Sequence, residues 1–289
     1  MTLPPLAATL AAHGLVPKKS LGQHFLLDQG LLGSIVASAG DLTGIHVVEI
    51  GPGPGGLTRA LLAGPAASVT VIEKDTRFLP LLEELRAHAG ERLQIIARDA
   101  LTCDPLTLAP EPRAILANLP YNIGTELVAH WLEQLAEHGA ASYRHITVML
   151  QEEVAERLMA TPGSKAYGRL SVLARWLTEP VLLRRVPPGA FTPPPSVMSA
   201  VIQLRPRPHP LAEADARTLI RVVAAAFNQR RKMLRRSLTS LGVDTEPLLA
   251  AAGIDSTRRP ETLSVEEFCA LARVFSTRAL ITSGGATSL

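Results

Sequence analysis

The sequence predicts an α/β protein, a doubly wound and mostly parallel sheet, with a small all-helical domain at its C-terminus. Three observations predict it. Short apolar segments rich in β-branched residues alternate with longer amphipathic ones as far as residue 204. The segment RPRPHP, 205–210, breaks that rhythm, and the residues beyond it have helical periodicity alone. At 289 residues with 47% hydrophobic content, the chain can build a core in each part, so domains are expected at 1–204 and 205–289.

Each element has its own reason. IHVVEIG (45–51), SVTVIEKD (68–75), LQIIARD (93–99), AILANLP (114–120), HITVML (145–150) and SAVIQL (199–204) are short apolar runs closed by turn signals, as expected of buried parallel strands. Between them GGLTRALLAG (55–64), RFLPLLEELRAHA (77–89), TELVAHWLEQLAEHG (125–139) and QEEVAERLMA (151–160) have the apolar spacing of helices. Beyond residue 210, helices are expected over 216–241, 245–253 and 264–280, and the small polar tail ITSGGATSL (281–289) is expected to fray.

Composition narrows the function classes. Cys103 and Cys269 form no CxxC pair, so neither a disulfide framework nor a metal site is expected, and a reducing cytoplasm fits best. The N-terminal MTLPPLAATLAAHGLVPKK lacks the basic start and unbroken apolar run of a signal peptide, and no run approaches the roughly 18 apolar residues of a membrane helix. The net charge of +3 is unevenly spread: residues 205–289 hold 13 Lys/Arg against 8 Asp/Glu. Arg221, Arg230, Arg231, Lys232, Arg235 and Arg236 fall in an acid-free run from Arg217 to Val243 and are candidates for RNA phosphate contacts. On a single helix, Phe227, Leu234, Leu238 and Leu241 would share one face, with Arg231/Arg235 and Lys232/Arg236 at i, i+4 on others.

The first strand turns through EIGPGPGG into a helix, so glycine backbone at 51, 53, 55 and 56 can approach a ligand closely. Gly51, Gly53 and Gly56 also satisfy GxGxxG, which leaves a nicotinamide dinucleotide open as the ligand. Glu73 and Asp99 end the next two strands, at the sheet edge where open α/β folds bind ligands.

The fourth strand ends in Asn118-Leu119-Pro120-Tyr121. If the ligand is a methyl sulfonium donor, the acceptor must present a lone pair in line with that methyl. The exocyclic amine of adenine is a poor nucleophile and needs both hydrogens gripped. Asn118 can accept one through its side-chain oxygen, and Pro120 favours an extended Leu119 whose carbonyl can accept the other. Tyr121 offers a face on which a flipped base can stack. No carboxylate is needed, because the amine attacks before it loses its proton.

VVEIGPGPGG, VIEKD, RDAL, NLPYNIGTEL, QEEVAERL, YGRLSV and VPPGAFTPPPSV, in this order, resemble the motifs of the ribosomal RNA adenine dimethyltransferase family from about residue 18 to 270. The resemblance implies a Rossmann-like class I methyltransferase domain and S-adenosylmethionine as cofactor. It is closest to the branch that dimethylates two adjacent adenines near the 3′ end of 16S rRNA, which implies the immature small ribosomal subunit as partner. It places the donor across Gly51, Gly53 and Gly55, its ribose on Glu73 and its adenine on Asp99, with Lys74, Ala100 and Asn118 beside them. Gln23, His24 and Leu26, in the cofactor-covering segment KKSLGQHFL, point toward the donor, although the family more often carries Asn at the position of His24. Asn118, Leu119, Pro120 and Tyr121 hold the target base, and Phe191 closes its other side. A monomer is expected. A 23S rRNA methyltransferase of the macrolide-resistance kind, a dehydrogenase and a non-catalytic ribosome-assembly factor are the alternatives.

Overall fold

The computed structural model describes residues 4–17 and 23–284; the first five residues of KKSLGQHFL and the last five of the chain lie outside the described residues. Two compact units emerge. One comprises Met1–Trp131, His138–Ala155 and Pro180–Pro206; the other comprises Leu132–Glu137, Glu156–Glu179 and Arg207–Leu289. The second unit's longest segment begins two residues beyond the boundary expected at 205. It also takes in 132–137 and 156–179, which sequence patterning assigned to the first domain.

To residue 206 the elements are α1 (Leu6–Ala12), β1 (Phe25–Leu26), α2 (Gln29–Ser38), β2 (His46–Ile50), α3 (Gly56–Ala63), β3 (Ser68–Ile72), α4 (Leu79–Ala89), β4 (Leu93–Ile96), α5 (Pro105–Leu108), β5 (Arg113–Asn118), α6 (Gly124–His138), β6 (Ile146–Gln151), α7 (Glu152–Met159), α8 (Arg169–Leu177), β7 (Thr178–Val186), β8 (Phe191–Thr192) and β9 (Ser199–Pro206). The seven-stranded sheet has the order β4-β3-β2-β5-β6-β9-β7, and a separate two-stranded ribbon joins β1 to β8. Strands β2 to β6 pair in parallel, with Val47 opposite both Val69 and Ala114, and Ile115 opposite Ile146. Their apolar runs are buried on both faces: Val47, Val48, Val69, Val71, Ala114 and Ile115 have no exposed surface.

One expectation fails here. SAVIQL, expected to be parallel, forms β9 and runs antiparallel to β6, with Ile202 opposite Val148. Its apolar pattern is that of a buried strand in either direction, and only the path of the chain sets the direction. Strand β7 escaped the sequence patterning because Pro180, Arg184 and Arg185 interrupt it; it lies at the edge of the sheet, where a proline and charges are tolerated.

The sheet order fixes the site. Strand β2 is followed outward by β3 and β4 on one side and by β5 and β6 on the other, so the direction of winding reverses between β2 and β5. The carboxyl ends of those two strands flank the crevice in which doubly wound sheets bind ligands.

In the second unit, α9 (Ala216–Asn228), α10 (Leu234–Ser237), α11 (Thr245–Ala251) and α12 (Val265–Gly284) complete the chain. The single helix expected over 216–241 does not form. Helix α9 stops at Asn228, and the amides of Leu234 and Arg235 donate instead to the carbonyls of Arg258 and Ser256. The i, i+4 pairing of Arg231 with Arg235 and of Lys232 with Arg236 is therefore lost. Leu234, Leu238 and Leu241 are still buried. Aromatic contacts link Phe227 to Tyr167 (6.1 Å between centroids) and to Phe268 (5.7 Å). Helix α12 continues through Gly284, so the first four residues of the tail expected to fray are helical. Among the described residues no helix is long and apolar enough to cross a membrane.

Candidate active site

The loop after β2 uses its glycines differently. Gly51, Gly53 and Gly55 all have positive φ (64°, 52° and 84°), which only glycine adopts without strain. A Cβ on Gly51 would sit 3.6 Å from Pro120, so this loop packs directly against the Asn118–Tyr121 turn. A Cβ on Gly53 would come within 3.3 Å of the Phe25 ring. Gly55 departs from expectation. It does not line the cavity, and a Cβ there would meet Leu85 Cδ1 at 2.6 Å; its missing side chain admits α4 rather than a cofactor.

A cavity of about 450 Å³ opens at the β2/β5 crevice, within the size range of small-molecule sites. Gln23, His24, Leu26, Gly51, Gly53, Glu73, Lys74, Asp99, Ala100, Asn118, Leu119, Pro120 and Tyr121 all line it, so most of the expected site residues converge although they span a hundred positions. Glu49, Phe25, Ile50, Asp75, Arg98 and Leu101 also line it and were missed. The acid in the apolar run VVEIG and the second acid of VIEKD were the available signals.

Its acids are held in different states. Glu73 is buried, and its two oxygens accept the amides of Gly53 at 2.9 Å and Asp75 at 2.7 Å; burial nevertheless pushes its pKa up. Glu49 is 1% exposed, and burial raises its pKa to about 8, opposed by hydrogen bonds from Thr58, whose hydroxyl donates at 2.7 Å. Asp99 is held below the usual range by Lys74, whose Nζ lies 2.6 Å away, and by the amide of Leu101. Asp75 is held near 2 by Arg77 and Gln23; the Gln23 amide donates to it at 3.0 Å. The cradle suits an adenosyl donor: apolar Leu26, Leu57 and Ile50, close-approach glycine backbone and carboxylates able to accept from hydroxyls and amines all line it.

Strand β5 leads into the Asn-Leu-Pro-Tyr tetrapeptide. Asn118 Nδ2 donates to the His24 carbonyl at 3.4 Å, leaving Oδ1 to accept from another group. The Leu119 amide is tied to Met149, while among the described residues no donor is recorded on the Leu119 carbonyl. The Pro120 carbonyl accepts from Ile123 and Gly124 and starts α6. The Tyr121 hydroxyl is 2.5 Å from Ser199 Oγ, and its ring stacks on His24. Phe191 is the second departure. It does not line the cavity; β8 pairs Phe191 with Leu26, and the ring is 3% exposed in the core cluster that also holds Leu32 and Leu116.

The model of the family described as ribosomal RNA adenine dimethylase matches residues 15–277. The chain belongs to this family. It is 55% identical over 271 residues to the ribosomal RNA small subunit methyltransferase A of Ruegeria sp. (strain TM1040), covering 94% of this chain and 96% of that protein. It is 53% identical to the protein of the same name from Gluconobacter oxydans (strain 621H), over 95% and 88%. Among solved structures, a dimethyladenosine transferase from Plasmodium falciparum superposes with a TM-score of 0.70 at 22% identity, over 89% of this chain and 98% of that one, and shares the fold. The 23S rRNA methyltransferase ErmE superposes with a TM-score of 0.64 at 27% identity, over 87% and 99%.

A ribosomal RNA adenine dimethylase acts on a polyanion, and the six basic candidates belong to the second unit. Three of them are committed locally. Arg221 donates to the Leu241 carbonyl at 3.3 Å and lies 5.1 Å over the Phe275 ring. Arg230 donates to the Lys165 carbonyl at 2.6 Å, and Arg235 is 3.9 Å from Glu246. Among the described residues, Arg231, Lys232 and Arg236 are exposed with no recorded side-chain partner.

Proposed function

We propose that the chain transfers methyl groups from S-adenosylmethionine to the N6 amines of two adjacent adenines, in a hairpin near the 3′ end of 16S rRNA. On this reading it acts as a cytoplasmic monomer on the immature small subunit. One observation carries it: at the β2/β5 crevice a glycine loop and two strand-end acids share one cavity with an Asn-Leu-Pro-Tyr turn packed against that loop.

The bound donor supplies an electrophilic methyl on sulfur. Glu73 and Asp99 orient its nucleoside, and the Gly51–Gly53 backbone lets it approach the sheet edge. Asn118 Oδ1 and the Leu119 carbonyl accept the two amine hydrogens, which draws the nitrogen lone pair out of the ring and toward the methyl. With the donor bound, its methyl would pass from sulfur to this nitrogen, and the amine's extra proton would leave to solvent, so no residue of the chain need act as base. The 55% identity to small-subunit enzymes, against 27% to a 23S rRNA enzyme, supports the small subunit as substrate.

Labelled donor, offered with unmethylated small subunits and with large-subunit RNA, tests the substrate. Dimethyladenosine should appear with small subunits alone; label in large-subunit RNA would move the chain to the macrolide-resistance branch. Asn118→Ala should lower transfer by at least about 10²-fold while leaving RNA binding nearly intact. Loss of binding as well would show that Asn118 holds the RNA and does not act on the amine alone.

A further inference from the structure

His24, expected to face the cofactor, contacts both the Asn118–Tyr121 turn and the Pro193 carbonyl. Its Nδ1 lies 2.8 Å from the Pro193 carbonyl, which can only accept, so this nitrogen carries the hydrogen and the ring orientation is fixed. The imidazole lies on the Tyr121 ring with centroids 5.5 Å apart and planes 28° from parallel. Tyr121 is anchored at its far end by Ser199. The stack is therefore set from both sides. Phe191, the aromatic expected beside Tyr121, is turned into the core.

We propose that His24 is a target-base recognition residue: its imidazole and the Tyr121 ring form together the aromatic platform that receives the flipped adenine. Both rings line the cavity that also holds Asn118, and because they are stacked, an adenine brought to Asn118 meets the outer face of the pair, one ring backing the other. Stacking on such a surface favours an unpaired base of any sequence, and the Asn118 amide supplies the selection for an amine. The backbone takes part as well. The His24 carbonyl holds Asn118 Nδ2 and so keeps Oδ1 available. Substituting His24 removes the ring and leaves that carbonyl, so the ring's contribution can be measured separately.

This inference rests on Asn118–Tyr121 being the target site. The test uses the full chain and a hairpin RNA carrying 2-aminopurine at one target adenine, whose fluorescence is quenched on stacking. Donor affinity is measured in parallel by calorimetry. His24→Ala should weaken RNA binding about tenfold and restore fluorescence, with donor affinity changed less than about twofold. His24→Phe, which keeps a ring, should recover quenching and affinity; His24→Asn, which keeps only a donor for Pro193, should not. Weakened donor binding with unchanged quenching would return His24 to the cofactor and overturn the proposal, as would recovery by Asn equal to that by Phe. If Asn118→Ala transfers methyl groups normally, the target-site reading itself fails. If it is inactive but His24→Ala leaves RNA binding and quenching unchanged, only the platform fails.

Discussion

At the residue scale the site is governed by which groups the fold lets water reach. Glu49 is almost fully buried and titrates near 8, against an ordinary value near 4.5. A carboxyl whose folded value is raised is bound more tightly by its proton in the folded state. Its contribution to stability is full below about pH 4.5 and is lost as pH rises toward about 8. Glu49→Gln keeps the acceptor for Thr58 and removes the titration. Its melting temperature should therefore exceed that of the wild type at pH 8.5, by an amount on the order of a few kcal/mol in stability, and converge with it near pH 5. An equal gap at both pH values would show that Glu49 is not buried as a neutral acid. Sequence alone displayed Glu49 only as an acid inside an apolar strand. It displayed Gly55 and Phe191 as members of functional motifs, because nothing local distinguishes a glycine that admits Leu85, or a phenylalanine that fills the core, from one that meets a ligand.

At the element scale the local code was legible wherever short-range pattern decides. Strands β2 to β6 and helices α3, α4, α6 and α7 arise from apolar periodicity and turn residues, and all fall where the sequence puts them. The long basic helix did not, because backbone bonds to the 256–258 segment end it after α9. The consequence is functional: Arg231 and Lys232 stand on a turn, with Arg236 in the short helix α10 that follows. Replacing Arg231, Lys232 and Arg236 together by Ala should weaken RNA binding and flatten the plot of log affinity against log salt by about 2, at roughly 0.7–0.9 per phosphate contact. Donor affinity should be unaffected. An unchanged slope would remove these three side chains from the RNA interface.

At the scale of the whole molecule, a ligand held by one unit stabilises that unit by mass action. S-adenosylmethionine at about a hundredfold its Kd should add about 2.7 kcal/mol to unfolding, seen as an upward shift of the calorimetric transition belonging to the sheet-containing unit. Absence of any shift would mean that the cavity at the β2/β5 crevice does not hold the donor. The sequence by itself determined the positions of the buried strands β2 to β6, the glycine turn after β2, the acids at strand ends and the Asn-Leu-Pro-Tyr turn, since each depends on residues within a few positions of one another. Only the tertiary structure decided the direction of β9, the end of α9, the inward turn of Phe191 and the stack of His24 on Tyr121. Each of these is settled between segments far apart in the chain, by which backbone groups find partners and which side chains fill the space left, and no local pattern encodes that competition.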